Sequence, residues 1–400
     1  MICARLDHGR NIGRFKKLFL FSTSKMYPPK FLINNVFGWR LYNGTFNENM
    51  TQKLYESLRS FLCANEIQRQ LKHVLECDEI LVKVNLVDPR PPETGCVTHP
   101  LVVRAVIDQI LSSGFKGTIS ICESGSYYKG PYIFTKTEEF LSEFPVSERP
   151  SIEAKIKSRN QTQNSYDFGF QLTLELSGIQ KLVEEYVDAG AKVRVLNVSD
   201  EPILTSEESM RLVKEVDAML GEELLPMSEV RDKIISKIPA AVNNGVGLIS
   251  LAVPKTHIAS QVLVTATIKN IGVGLLPHYK KFFTHNDVVK AILYYYTFWH
   301  VGCRGRLFGM ISGPYGMEGN GPDWGNAVNF PYAVAGSDLL AVDCVTGMLM
   351  FGKPEFICQI EQFSIANGKI GLIPSIEELK KLEPLALGYK LPEAKKYPLL

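Results

Sequence analysis

At 400 residues, 45% hydrophobic and 22% charged, the chain is long and apolar enough to bury a large core, as one big α/β domain or two smaller ones. A formal net charge of +2 excludes a field strong enough to make nucleic acid or an anionic membrane the main partner, so any charge-dependent function is local. No apolar stretch reaches the roughly 18 uninterrupted residues that a membrane span requires, which excludes a membrane-spanning protein.

The first thirty residues are rich in Lys and Arg and carry one acid, a composition that fits either an organelle transit peptide or an upstream extension with Met26 as the start. The pattern divides the chain into an N-terminal extension over 1–40 and a single α/β domain over 41–400, with polar insertions near 129–169 and 201–240. The cysteines (Cys3, Cys63, Cys77, Cys96, Cys122, Cys303, Cys344 and Cys358) are scattered without ligand spacing. They read as reduced and mostly buried, which fits a cytoplasmic protein, and no metal ligands are assigned.

In chain order, "DEILVKVNLV" (78–87) is a short apolar run that predicts a buried strand. A helix follows, with Pro100 in its first turn and Gly114 as its stop, and then the strand "GTISICES". This is a βαβ unit with parallel strands. Helix, Gly stop and strand recur over 179–200. Downstream, "VGLISLAV" predicts a strand, "HNDVVKAILYYYTFW" a helix, "RLFGMIS" and "FPYAVAG" strands, and "SDLLAVDCVTGMLMFG" a helix capped by Ser337 or Asp338. Alternating β and α elements predict a mostly parallel, doubly wound sheet with helices on both faces.

Ligands of open α/β sheets bind beyond the carboxyl ends of the strands, and four clusters fall there. Lys83 and Asn85, two apart, share a strand face, with Thr98 and His99 where the next loop meets its helix. A lysine among Val and Leu is expensive to bury unless it is paired or its charge is used. Glu123, in "CESGS", reads first as part of a turn before the insertion, and otherwise as a carboxylate that neutralises a neighbouring lysine or ligates a metal. In "VPKTHIASQVLVTATIKNIGVGLLPH", Pro254 ends a strand and leaves Lys255, Thr256 and His257 in a loop, with Lys269 and Asn270 before the Gly-rich "IGVG". The fourth is "SGPYGMEGNGPDWG" (312–325), which holds Glu318, Asn320 and Asp323. Its glycines fit either a tight turn or a backbone wrapped against a ligand, and its length favours the ligand.

The segments "ILVKVNLV", "THPLVVRAVIDQIL", "VPKTHIASQVLVTATIKNIGVGLLP", "GMEGNGP" and "SDLLAVDCVTGMLM" occur in an order that resembles the domain of unknown function 362 family, over roughly residues 78–350. The resemblance implies an α/β fold and carries the family pattern to Lys83, Asn85, His99, Pro254, Lys255, His257, Lys269, Asn270, Glu318, Asn320, Asp338 and Asp343. Of these, Asp338 and Asp343 fit a helix cap and a helix interior. Some members of the family carry a ferredoxin-like cluster domain; this chain has no closely spaced cysteines for one. It also has Ser312 where the family tends to have Asp.

Lys83, Lys255 and Lys269 on neighbouring strand ends would lower one another's pKa, and would need an anion or lose protons. The expected function is an enzyme for a small anionic substrate, a carboxylate or phosphate. Lysine would serve as clamp, base or Schiff-base amine, and His99 or His257 as proton-transfer partner. Asn85, Lys269, Asn270, Glu318 and Asn320 would bind the substrate. The alternatives are a redox or metal-handling accessory protein working with an external iron–sulfur partner, and a non-catalytic anion-binding module. No cofactor is assigned.

Overall fold

The computed structural model describes residues 48–125, 129–158, 164–258, 262–278, 281–353 and 361–392, together with the backbone of three short strands before them. The transit-peptide expectation falls on a stretch that lies largely outside the described residues. In chain order the strands are β1 (Ile2–Arg5), β2 (Lys16–Phe19), β3 (Phe31–Asn35), β4 (Glu79–Lys83), β5 (Thr118–Glu123), β6 (Val193–Asn197) and β7 (Gly247–Ala252). They continue with β8 (Lys255–Thr256), β9 (Val264–Thr265), β10 (Leu307–Ser312), β11 (Tyr315–Glu318), β12 (Asn326–Asn329) and β13 (Tyr332–Gly336).

Nine of these form one sheet in the order β2-β1-β3-β13-β10-β7-β4-β5-β6. The run from β10 to β6 is parallel throughout, with Val82 opposite both Ile121 and Ile249, while β13 runs antiparallel to β10. Side chains alternate across this sheet. Ile80, Val82, Ile249, Leu251, Phe308 and Met310 join one core, shared with helices Pro100–Ser112 and Ile179–Asp188. Leu81, Leu248, Leu307 and Ile311 join the other, shared with helices Ser206–Leu220, Val288–Gly302 and Leu339–Phe351. Burial on both faces explains the near-continuous apolar strands, and the expected doubly wound, mostly parallel architecture is the one present.

The aperiodic stretch after β5 is helical. Helices Lys129–Thr135, Thr137–Ser142, Arg149–Ser158 and Ser165–Leu176 gather Ile133, Phe140, Phe144, Ile152, Phe168 and Leu172 into a satellite core of their own.

The two central strands do not simply stop. β7 meets Pro254 and β10 meets Gly313 and Pro314, residues that interrupt the main ladder, yet each chain resumes pairing two residues later. The continuations β8 and β11 pair in parallel, Lys255 opposite Met317, inside a small sheet ordered β12-β11-β8-β9 over the carboxyl end of the large one. Lys255 and Thr256 are therefore strand residues, where the sequence predicts a loop, because Thr265 and Met317 supply new partners.

Candidate functional site: a lysine cluster under the small sheet

Lys83 is the last residue of β4 and faces the same side as Leu81, the side covered by the short helix Thr267–Gly272. It is fully buried and fully partnered. Its Nζ donates to Glu123 Oε1 at 2.8 Å, to Asn270 Oδ1 at 3.0 Å and to the carbonyl of Val84. Asn270 closes the knot by donating to the Lys83 carbonyl at 3.2 Å and to Ser250 Oγ at 3.1 Å. Asn85 donates to Asn270 Oδ1 at 3.4 Å, and its own Oδ1 is buried without a hydrogen-bond partner among the described residues. Glu123 is held by the backbone N–H groups of Ser124 and Gly125, each at 2.6 Å. The strand-end rule thus places Lys83, Asn85 and Asn270 together, with Glu123 as counter-ion.

The helix that delivers Asn270 also delivers Lys269. It is short, and Asp343 anchors its start: one carboxylate oxygen accepts from Thr267 N at 2.8 Å and from the Thr267 hydroxyl, the other from Ile268 N at 3.0 Å. Burial outweighs these hydrogen bonds and raises the Asp343 pKa to about 7. The glycines beyond Lys269 serve packing. A Cβ on Gly272 would meet the Ile292 carbonyl oxygen at 2.3 Å, and one on Gly274 would meet Lys83 Nζ at 2.7 Å. "IGVG" is therefore a close-approach segment, and its glycines are occupied by the protein's own atoms.

Lys255 is also fully buried, donating to the Cys96 carbonyl at 2.7 Å. Burial lowers its pKa to about 8, against the pull of Cys96 and Asp323. His257, 3% exposed, is held well below the usual histidine value by burial and by Lys269, His285 and Lys255, so its ring is neutral at pH 7. It stacks on His285 with ring centroids 6.4 Å apart.

Lys281 donates to the Gly125 carbonyl at 2.7 Å and lies 3.6 Å from Glu123 Oε2; burial lowers its pKa to about 8, opposed by Glu123. Lys269 differs from the other three. Like Lys281 it is half-buried, but its Nζ has no hydrogen-bond or ion-pair partner among the described residues. Burial, then Lys255 and Lys281, bring its pKa to about 7, with Asp323 opposing. Four ammonium groups thus share two carboxylates, Glu123 and Asp323, and the one left without a contact is also partly open to solvent.

The remaining predicted residues stand as follows. His99 caps helix Pro100–Ser112: its Nδ1 accepts from Leu101 N at 3.2 Å, and burial brings its pKa down to about 4. Glu318 accepts from the backbone N of Lys390 at 2.9 Å, so it ties β11 to the C-terminal segment. Asn320 has a buried Oδ1 without a partner. Its loop packs on β8, with Thr256 Oγ1 donating to the Gly319 carbonyl at 2.6 Å and Ile258 N to the Gly321 carbonyl at 2.9 Å. A Cβ on Gly321 would meet the Thr256 carbonyl oxygen at 2.1 Å, so this glycine fits the loop against the strand rather than against a ligand. Asp338 caps helix Leu339–Phe351 through Ala341 N at 3.2 Å, and Ser312 is the buried end of β10.

Sequence reasoning missed Lys281 and His285 as members of the cluster. Nothing in the spacing of "YKK" says that Lys281 folds back onto Gly125. Among the described residues no group of three or more His, Cys, Asp or Glu side chains could hold a metal, and no helix is long and apolar enough to cross a membrane.

None of the curated proteins and none of the solved structures compared with the chain matches it significantly. A family model described as "Domain of unknown function (DUF362)" matches residues 80–347, from the first core strand to the helix that carries Asp343. With well over half its length inside that match, the chain belongs to the domain of unknown function 362 family.

Proposed function

We propose that the chain is an enzyme acting on a small carboxylate or phosphate by lysine and histidine acid–base or covalent chemistry, in an isomerisation, an elimination or an oxidation–reduction. The observation that carries this reading is the Lys269 amine, half-buried and without a partner among the described residues, in a cluster with too few carboxylates. Such a group is satisfied by an anion or by losing its proton. Lys83 and Lys255 are sealed, so in this reading they set the field, while Lys269 and Lys281 meet the ligand. In this reading His257 is a neutral imidazole, kept so by burial and the neighbouring cations, that hydrogen-bonds the substrate and holds a transferred proton only transiently. The Asn85 and Asn320 oxygens are further polar groups for the substrate. A cytoplasmic setting belongs to the same reading and is supported by the six described cysteines, all of them free.

Calorimetric titration with inorganic phosphate and with pyruvate tests the proposal. The wild type is expected to bind one of them, and Lys269→Met to lose at least about tenfold in affinity, about 1.4 kcal/mol. The reading is abandoned if Lys269→Met and His257→Gln both keep wild-type affinity.

A further inference from the structure

Among the four lysines, three are fixed by acceptors. Lys83 is held by Glu123, Asn270 and the Val84 carbonyl, Lys255 by the Cys96 carbonyl, and Lys281 by the Gly125 carbonyl. An ammonium that donates to a carbonyl oxygen is held in place by it and works near neutral pH as a fixed positive charge. Lys269 alone has no acceptor among the described residues. Its backbone is nonetheless firmly placed, because Asp343 anchors its helix and Gly272 packs on the carbonyl oxygen of Ile292. A rigid main chain under an untethered amine, beside fixed cations, is the arrangement of a nucleophile and not of a clamp.

We infer that Lys269 is a nucleophilic amine that forms an imine with the carbonyl carbon of a carbonyl-bearing acid, such as a 2-oxo acid, whose carboxylate is held by Lys281. This rests on the enzymatic reading above and narrows its substrate class. The Lys269 nitrogen lone pair forms the new C–N bond as the carbonyl π bond breaks. Both amine hydrogens then leave with the carbonyl oxygen as water. The resulting C=N bond draws electrons from the adjacent carbon, so a hydrogen or a carboxylate on that carbon can depart without its bonding pair. That is what an isomerisation or an elimination requires.

The attacking amine must be unprotonated. The groups that face it are Lys83 from β4, Lys255 from β8, Asp323 from the Gly-rich loop, Lys281, and the rings of His257 and His285. Three of the charged neighbours are cations and one is a carboxylate, and the balance with burial brings Lys269 to about 7. Imine formation is therefore expected to rise with pH through that value.

The test is hydride trapping. The full-length protein is incubated with pyruvate and sodium cyanoborohydride, which delivers hydride to the imine carbon and leaves a stable secondary amine. Peptide mass mapping then locates the adduct, whose mass is that of the acid less one oxygen atom. Lys269 should be labelled at least about tenfold above exposed lysines such as Lys116 or Lys390, with the excess abolished in Lys269→Arg and suppressed by propionate, which has the carboxylate but no ketone carbonyl. Circular dichroism of Lys269→Arg establishes that the variant is folded. Labelling of Lys269 no greater than that of the exposed lysines, while pyruvate and propionate still bind by calorimetry, overturns the imine and leaves the enzymatic reading standing. Absence of binding by phosphate, pyruvate and propionate alike overturns both.

Discussion

At the scale of single residues, the Lys83–Glu123 pair decides how the cluster tolerates its charge. Both side chains are buried, so neither can be removed alone without costing the other its nearest opposite charge in a low-dielectric interior. Lys83→Met is expected to destabilise the protein by about 3 kcal/mol, chiefly by costing Glu123 its nearer counter-ion and leaving it to Lys281 alone. The double variant Lys83→Met with Glu123→Gln should recover part of that loss, since the buried pair is removed together while Lys281 keeps the Gly125 carbonyl and loses only its more distant contact with Glu123. Urea denaturation of the four proteins of this cycle measures the coupling, and equal losses in the single and double variants would show that the pair is not the cause. Lys255 carries a similar lesson: truncating this sealed side chain to Ala would open a void and orphan the Cys96 carbonyl, so an experiment on its charge is better made with Met.

At the scale of elements, the site depends on how closely the small sheet sits on its neighbours. The turn Pro92–Thr94 ends at Gly95, whose φ of 72° lies in the left-handed region. A Cβ there would meet the Gly316 carbonyl oxygen of β11 at 2.2 Å. Gly190, at φ 80° with nothing near its Cβ position, carries the conformational demand without the contact. Gly190→Ala should cost about 1 kcal/mol and Gly95→Ala clearly more, because backbone must move as well. Thermal unfolding of the two variants separates strain from collision. Equal melting temperatures would mean that the approach of turn and strand is not fixed.

At the scale of the whole molecule, the buried lysines make stability depend on pH in a predictable direction. Lys269, Lys255 and Lys281 titrate at about 7, 8 and 8 in the folded state, below the ordinary lysine value of 10.5. Between these values the unfolded chain binds more protons than the folded one, so stability rises with pH across that window. It falls again as pH drops through the folded values. Asp343 has the opposite sign: its folded value of about 7 lies above the ordinary 3.8, so its contribution is complete below pH 3.8 and is lost as pH rises towards 7. The urea midpoint is therefore expected to climb from pH 7 to pH 9.5, and a bound anion should flatten the climb by favouring the protonated lysines. A midpoint constant over that range would contradict the shared titration.

The division between what was legible in the sequence and what was not has a physical reason. Apolar runs with β-branched residues, separated by helical periods and glycine stops, specify strands, helices and their parallel order, because each signal is local and repeated. The strand-end rule likewise brought Lys83, Asn85, Lys255 and Lys269 to one end of the sheet, and motif order alone marked the family. Charge pairing, in contrast, is settled by contacts between residues far apart in the chain. Glu123 lies 40 positions from Lys83, and Lys281 lies 156 from Gly125. Only the folded chain decides that Lys83 is neutralised, that Lys255 is sealed behind Cys96, that His99 caps a helix and that Glu318 holds the C-terminal segment. The same long-range contacts leave Lys269 as the one lysine of the cluster with no acceptor among the described residues, a property of the assembled cluster that no local pattern encodes.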